Sequence, residues 1–152
     1  MMGGTVVPGS VQNGTRFFDG AGARLGLMVP LALLALSACA RDESVARFVP
    51  PDTVWELREL DGAPWAHPAT ISFGTGGAVL GRGPCNSFTA RQQVPYPWFE
   101  LRAIAATKRA CPALAAEAVY FAALQEVTLV EVSGPVLLLS NDAGRRLVFR
   151  AR

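Results

Sequence analysis

The chain has 152 residues, with fourteen Lys or Arg against twelve Asp or Glu and 51% hydrophobic side chains. That length leaves room for one domain with a modest core once any targeting segment is set aside, and it excludes two. Two of the basic and one of the acidic residues precede Cys39, so the remainder is nearly neutral and lacks the basic stripe that tracks a phosphate backbone. Nucleic acid is therefore not an expected partner.

From Leu25 to Ala38 the chain is an apolar run behind Arg24, too short for a comfortable permanent span. It reads as the core of a secretory signal. Leu36-Ser37-Ala38-Cys39 resembles the bacterial lipobox, in which small side chains let the backbone enter a peptidase and the cysteine thiol takes up diacylglycerol. The bland alternatives are an ordinary cysteine beside a core helix or an ordinary cleavage site, and the order of charge, apolar run, small residues and cysteine favours lipidation at Cys39. Diacylglycerol plus an amide-linked acyl chain would anchor the protein stably where a single chain would be marginal. Ala40 lacks the aspartate associated with inner-membrane retention, so an outer-membrane lipoprotein facing the periplasm is expected. The expected division is a signal peptide over 1–38, a flexible tether over 39–51 ending in Pro50-Pro51, and a globular domain over 52–152.

Within that domain Trp55 and Leu57 alternate with Glu56 and Arg58, which predicts a half-buried strand stopping at the turn dipeptide Asp61-Gly62. Ala69 to Phe73 alternates again, Gly74 to Gly77 is a hairpin connection, and Ala78 to Gly81 returns toward Cys85. Pro95-Tyr96-Pro97-Trp98 is a stiff aromatic loop, and Phe99 to Arg102 alternates after it. Beyond Pro112 an Ala-rich run predicts one helix over Ala113 to Val127, with Glu117 near the positive end of its dipole. Leu114, Ala118, Phe121 and either Leu124 or Gln125 are its expected buried stripe. Thr128 to Val132, Val136 to Ser140 and Arg146 to Arg150 are three further strands, whose tight links require antiparallel neighbours.

The order T-x-W-x-L, G-x-x-x-C-N-x-F, T-x-x-A-C, then L-x-L and L-x-F resembles the META domain, typified by the HslJ-type heat-inducible lipoproteins. Here Thr53, Trp55, Leu57, Gly81, Cys85, Asn86, Phe88, Thr107, Ala110, Cys111, Phe121, Leu124, Leu137, Leu139, Leu147 and Phe149 carry it, and the match runs from Thr53 onward. The resemblance implies an α+β fold, a mainly antiparallel sheet or partial barrel of about seven to eight strands with one packed helix. It also implies a link to stress, antibiotic tolerance or motility, with no established catalytic residues and no cofactor. One departure stands out: where F-x-G-x-Y follows Cys-Asn in the family, Ala90 and Gln92 occupy the Gly and Tyr positions.

In an oxidising envelope, the two cysteines left after Cys39 favour a Cys85–Cys111 disulfide, with unpaired buried thiols or a redox couple as alternatives. Asn86 is expected to turn its amide onto nearby backbone rather than onto a ligand. Thr107 belongs with it on an extended segment. His67 is the only histidine, so a hydrolase would have to be built on it alone, and a metal site lacks paired ligand spacing. Trp65 and Trp98, in loops beside prolines, are the aromatic candidates for a partner or ligand surface. Lys108-Arg109 and Arg145-Arg146 read as solvated basic pairs. The expected function is thus a non-enzymatic, monomeric, lipid-anchored module that binds an envelope protein or small ligand in stress tolerance. A periplasmic thiol oxidoreductase or hydrolase is the alternative.

Overall fold

A computed structural model of the chain describes residues 43–152. The expected signal peptide and the lipidation candidate Cys39 lie outside the described residues. The strands are β1 (Trp55–Leu60), β2 (Ala63–Pro64), β3 (Thr70–Phe73), β4 (Ala78–Arg82), β5 (Ser87–Gln92), β6 (Leu101–Ala106), β7 (Leu129–Ser133), β8 (Val136–Ser140) and β9 (Arg146–Ala151). A single α-helix among the described residues, α1 (Leu114–Glu126), lies between β6 and β7. The strands form one antiparallel sheet in the order β6-β5-β4-β3-β1-β9-β8-β7, with β2 folded back on β1.

The sheet curls because one segment touches both of its ends. Phe99 N–H donates to the Thr128 carbonyl at 2.8 Å and Val130 N–H to the Pro97 carbonyl at 2.8 Å, so residues 97–99 ladder onto the β7 side before the same chain enters β6. The result is a half-barrel with α1 packed against its core, as an α+β arrangement requires. Trp55, Ile71, Phe99, Tyr120, Leu139 and Phe149 are among the fully buried side chains that fill it.

Alternation in β1 survives one interruption. Trp55 and Leu57 point inward, and a register shift against β9 between Leu57 and Glu59 then turns Glu59 outward and Leu60 into the core. Without that bulge the strict period of two would bury Glu59 instead. Asp61 and Gly62 both take positive φ (51° and 81°) in the connection to β2, the geometry for which Asp-Gly is suited.

Four expectations are corrected. Ser87–Gln92 is a central strand that the motif reading passed over, although its burial alternates strictly. The strand expected from Phe99 begins at Leu101, because Phe99 is engaged with Thr128. The buried face of α1 is Glu117, Tyr120, Ala123 and Leu124, so the stripe keeps Leu124 of the expected residues but is otherwise turned. Leu114 is 45% exposed, Ala118 is exposed and Phe121 is only half-buried. Finally, the expected tether is part of the domain from Glu43 onward. A 3-10 turn at Val45–Arg47 buries Val45 completely, Val49 is buried too, and the Glu43 backbone carbonyl accepts a hydrogen bond from Tyr96 N–H at 2.8 Å.

Candidate functional site

The turn between β4 and β5 is built for close approach. A Cβ on Gly81 would run into the Phe88 ring and the Thr70 carbonyl, and one on Gly83 would stand 2.8 Å from Glu117 Oε2. Gly83 N–H donates to the Asn86 carbonyl at 2.7 Å, which closes the turn and aims the next two backbone N–H groups at α1. Glu117 Oε2 accepts both, from Cys85 at 2.9 Å and from Asn86 at 2.6 Å, while Oε1 accepts Asn86 Nδ2–H at 2.6 Å. Successive backbone N–H groups of this kind make an anion-binding concavity, and here the chain's own carboxylate fills it.

Asn86 extends the network to a third segment. Its Oδ1 accepts Thr107 Oγ1–H at 2.8 Å and Arg109 N–H at 2.7 Å, and Nδ2 also reaches the Arg109 carbonyl at 3.3 Å. Thr107 N–H donates to Ser87 at 3.0 Å. The amide therefore does not turn onto its own neighbourhood, as expected from sequence, but bridges residues 21 and 23 positions away. Cys85 and Cys111 are joined by a disulfide with Cα atoms 5.9 Å apart, and Ala113 N–H at the head of α1 donates to Cys111 Sγ at 3.3 Å.

Glu117 is 5% exposed. Burial pushes its carboxyl pKa up, but the Asn86 amide and the Asn86 and Cys85 backbone N–H groups outweigh that, so it stays below the ordinary value. A carboxylate held ionised with its oxygens engaged is poorly suited to move a proton. Glu117 was read from sequence only as a dipole partner. Its position in the first helical turn, five residues after Pro112 of the T-x-x-A-C-P segment, is the signal that would have flagged it, but no local pattern says what it would meet.

The other candidates lie apart from this network. His67 is exposed in the loop before β3, its ring edge-on to Trp65 at 5.6 Å. Trp65 is half-buried and tilted against Tyr120, whose hydroxyl donates to the Thr70 carbonyl at 3.3 Å and is pushed upward in pKa by burial. Trp98 is 58% exposed. Arg145, expected to be solvated, is paired with Glu126 at 2.8 Å and with Asp61; the hydrogen bond to Glu126 is the main cause that holds its pKa above the usual value. Among the described residues no three His, Cys, Asp or Glu side chains gather as metal ligands.

A concavity of about 630 Å³ lies on the face of β3 to β6 turned away from the core. Leu80, Val54 and Ala105 give it an apolar floor, Ser72 and Thr89 offer hydroxyls, and Arg82 stands in it with no ion pair among the described residues. Leu80 is half exposed there.

A family model of the META domain matches residues 47–152. The chain belongs to the META domain family. The match begins inside the segment expected to be a tether, in line with the packing of Val49. No curated protein matches the sequence. In fold, the chain is similar to a protein from Burkholderia xenovorans solved by NMR, with 23% identity and a TM-score of 0.56 over 71% of this chain and 86% of that one. It is similar also to a DUF4847 family protein from Bacteroides vulgatus ATCC 8482, with 12% identity and a TM-score of 0.57 over 70% of this chain and 96% of that one. These likenesses are ones of fold alone.

At the position where the META pattern has its tyrosine, Gln92 is buried and works as a clamp. Its Nε2 donates to the Val94 carbonyl at 2.6 Å and the Trp98 carbonyl at 3.1 Å, and its Oε1 accepts Val45 N–H at 3.5 Å. Gln92 thereby ties the 94–98 turn to the segment that precedes β1. The two halves of the META motif, Gly81 to Phe88 and Thr107 to Cys111, meet at the head of α1.

Proposed function

We propose that this META-domain chain is a lipid-anchored protein of the cell envelope, held through Cys39 at the periplasmic face of the outer membrane. Its module binds a protein or small ligand in envelope stress tolerance and catalyses no reaction. One observation supports the non-catalytic reading above others: the polar groups of the motif are used on one another. Glu117 holds three N–H donors, Asn86 holds Thr107 and Arg109, and the two sulfurs are bonded to each other. The concavity beside Leu80, Thr89 and Arg82 is the binding surface in this reading, since it combines exposed apolar area with a guanidinium that has no ion pair among the described residues.

Two measurements test it. Palmitate labelling of cells should mark the wild-type protein and not Cys39→Ser, and equal labelling of both would remove the lipid anchor from the reading. A photo-crosslinking side chain at Leu80 should give discrete adducts in intact envelopes, whereas one at the exposed helix position Val119 should not. The same adducts from both positions, or none from Leu80, would sink the binding surface.

A further inference from the structure

Glu43 to Val49 lie on the domain instead of merely leading to it. Besides the Tyr96 N–H bond to Glu43 and the burial of Val45, the Phe48 ring stacks on Tyr96 with centroids 4.1 Å apart. Trp98 closes the same turn through its N–H to the Pro95 carbonyl at 2.9 Å. Yet Phe48 is 47% and Trp98 58% exposed, and Pro95 and Pro97 beside them are exposed as well. One pole of the domain therefore presents an indole and a phenyl ring to the outside, with a half-buried phenol between them. The indole and the phenol are the amphipathic rings that settle in the headgroup layer of a bilayer, and the phenyl adds apolar area beside them.

Chain length decides what covers this pole. Four residue steps separate Cys39 from Glu43, so even a fully extended backbone spans at most about 14 Å between them. The headgroup layer on each side of a bilayer is itself about 5 to 8 Å thick. With Glu43 pinned to the Tyr96 turn, a lipid on Cys39 leaves no room for a folded partner between this pole and the membrane.

We propose that the pole formed by Phe48, Tyr96 and Trp98 rests on the phospholipid surface, with the Phe48 and Trp98 rings in the headgroup layer. This rests on the reading of Cys39 as the lipid anchor. Among the described residues of the adjoining turn the exposed charges are Glu43 and Arg47, one of each sign, so docking is driven by apolar surface and does not need anionic lipid.

The test uses the full lipidated chain in phosphatidylcholine vesicles whose acyl chains carry bromine close to the headgroups. Tryptophan emission should be quenched relative to vesicles without bromine. Trp98→Phe should remove that quenching and Trp65→Phe should retain it, while Trp55 is sealed in the core. Vesicle-bound protein whose emission is the same in both lipids, or quenching that survives Trp98→Phe, overturns the docking and leaves the anchor standing. Protein that carries no palmitate and does not float with the vesicles overturns the anchor and the docking together.

Discussion

Glu117 Oε2 lies 2.6 Å from the backbone nitrogen of Asn86, a residue 31 positions earlier in the chain. This contact joins the head of α1 to the start of β5, and most of what can be tested about the motif follows from it. Glu117→Ala would leave two backbone N–H groups and one of the two Asn86 amide hydrogens buried without an acceptor. At roughly 1 to 3 kcal/mol for each unsatisfied group, the expected loss is about 3 kcal/mol or more. Urea denaturation at neutral pH measures it, and a midpoint equal to wild type would mean that the contact contributes nothing.

The same carboxylate makes stability depend on pH in one direction. Its folded pKa is lower than the unfolded value of about 4.5, so the unfolded chain binds more protons in that range. Its contribution is complete above about pH 4.5 and is lost as pH falls through the folded value. Thermal melts from pH 7 to pH 3 should therefore show a steeper acid decline for wild type than for Glu117→Gln. Parallel curves would remove Glu117 as the source.

Asn86→Asp replaces an N–H donor by an oxygen at a point 2.6 Å from Glu117 Oε1. Two carboxylates that close cannot both stay ionised, so one takes up a proton and its pKa rises. The variant should be less stable than wild type by about 2 kcal/mol or more at pH 7, with the deficit shrinking toward pH 5 as the pair shares a proton. A deficit that does not change with pH would contradict the placement of the two groups.

Cys85 and Cys111 are 26 residues apart, and closing a loop of that size is worth about 3 to 4 kcal/mol on the chain-entropy model. Reduction, or Cys111→Ser, should lower the denaturation midpoint accordingly. Peptide mapping without reductant should recover the two cysteine peptides linked. Two free thiols under oxidising conditions would refute the bond.

On α1 the order of effects matters more than any single value. Leu124 is fully buried, so Leu124→Ala should cost about 2 to 5 kcal/mol. Phe121, half-buried and edge-on to Phe88 at 5.3 Å, should cost less, and the largely exposed Leu114 least. A larger loss from Leu114→Ala than from Leu124→Ala would contradict this assignment of the buried face.

How much of this was legible beforehand divides along a physical line. Alternation in Trp55–Leu60, the Asp61-Gly62 turn, the 13-residue helix and the three final strands are set by side chains within a few residues of one another, and each was readable in order. β5 was not, because its residues sat inside a motif read for its cysteine and asparagine. The face of α1 also escaped, since hydrophobic spacing places a glutamate outward, whereas this glutamate is drawn inward by three donors from another segment.

The sequence by itself determined most of the element types and bounds, the antiparallel pairing of the last three strands and the pairing of the motif's two cysteines as an expectation. Those depend on local periodicity, turn chemistry and composition. Only the tertiary structure decided that Asn86 reaches Thr107 and Arg109, that Gln92 clamps Val45 to the Trp98 turn, and that Glu117 is buried. A polar side chain can satisfy its hydrogen bonds with any suitable partner, near or far, so its residue type alone leaves the partner open until the backbone around it is in place.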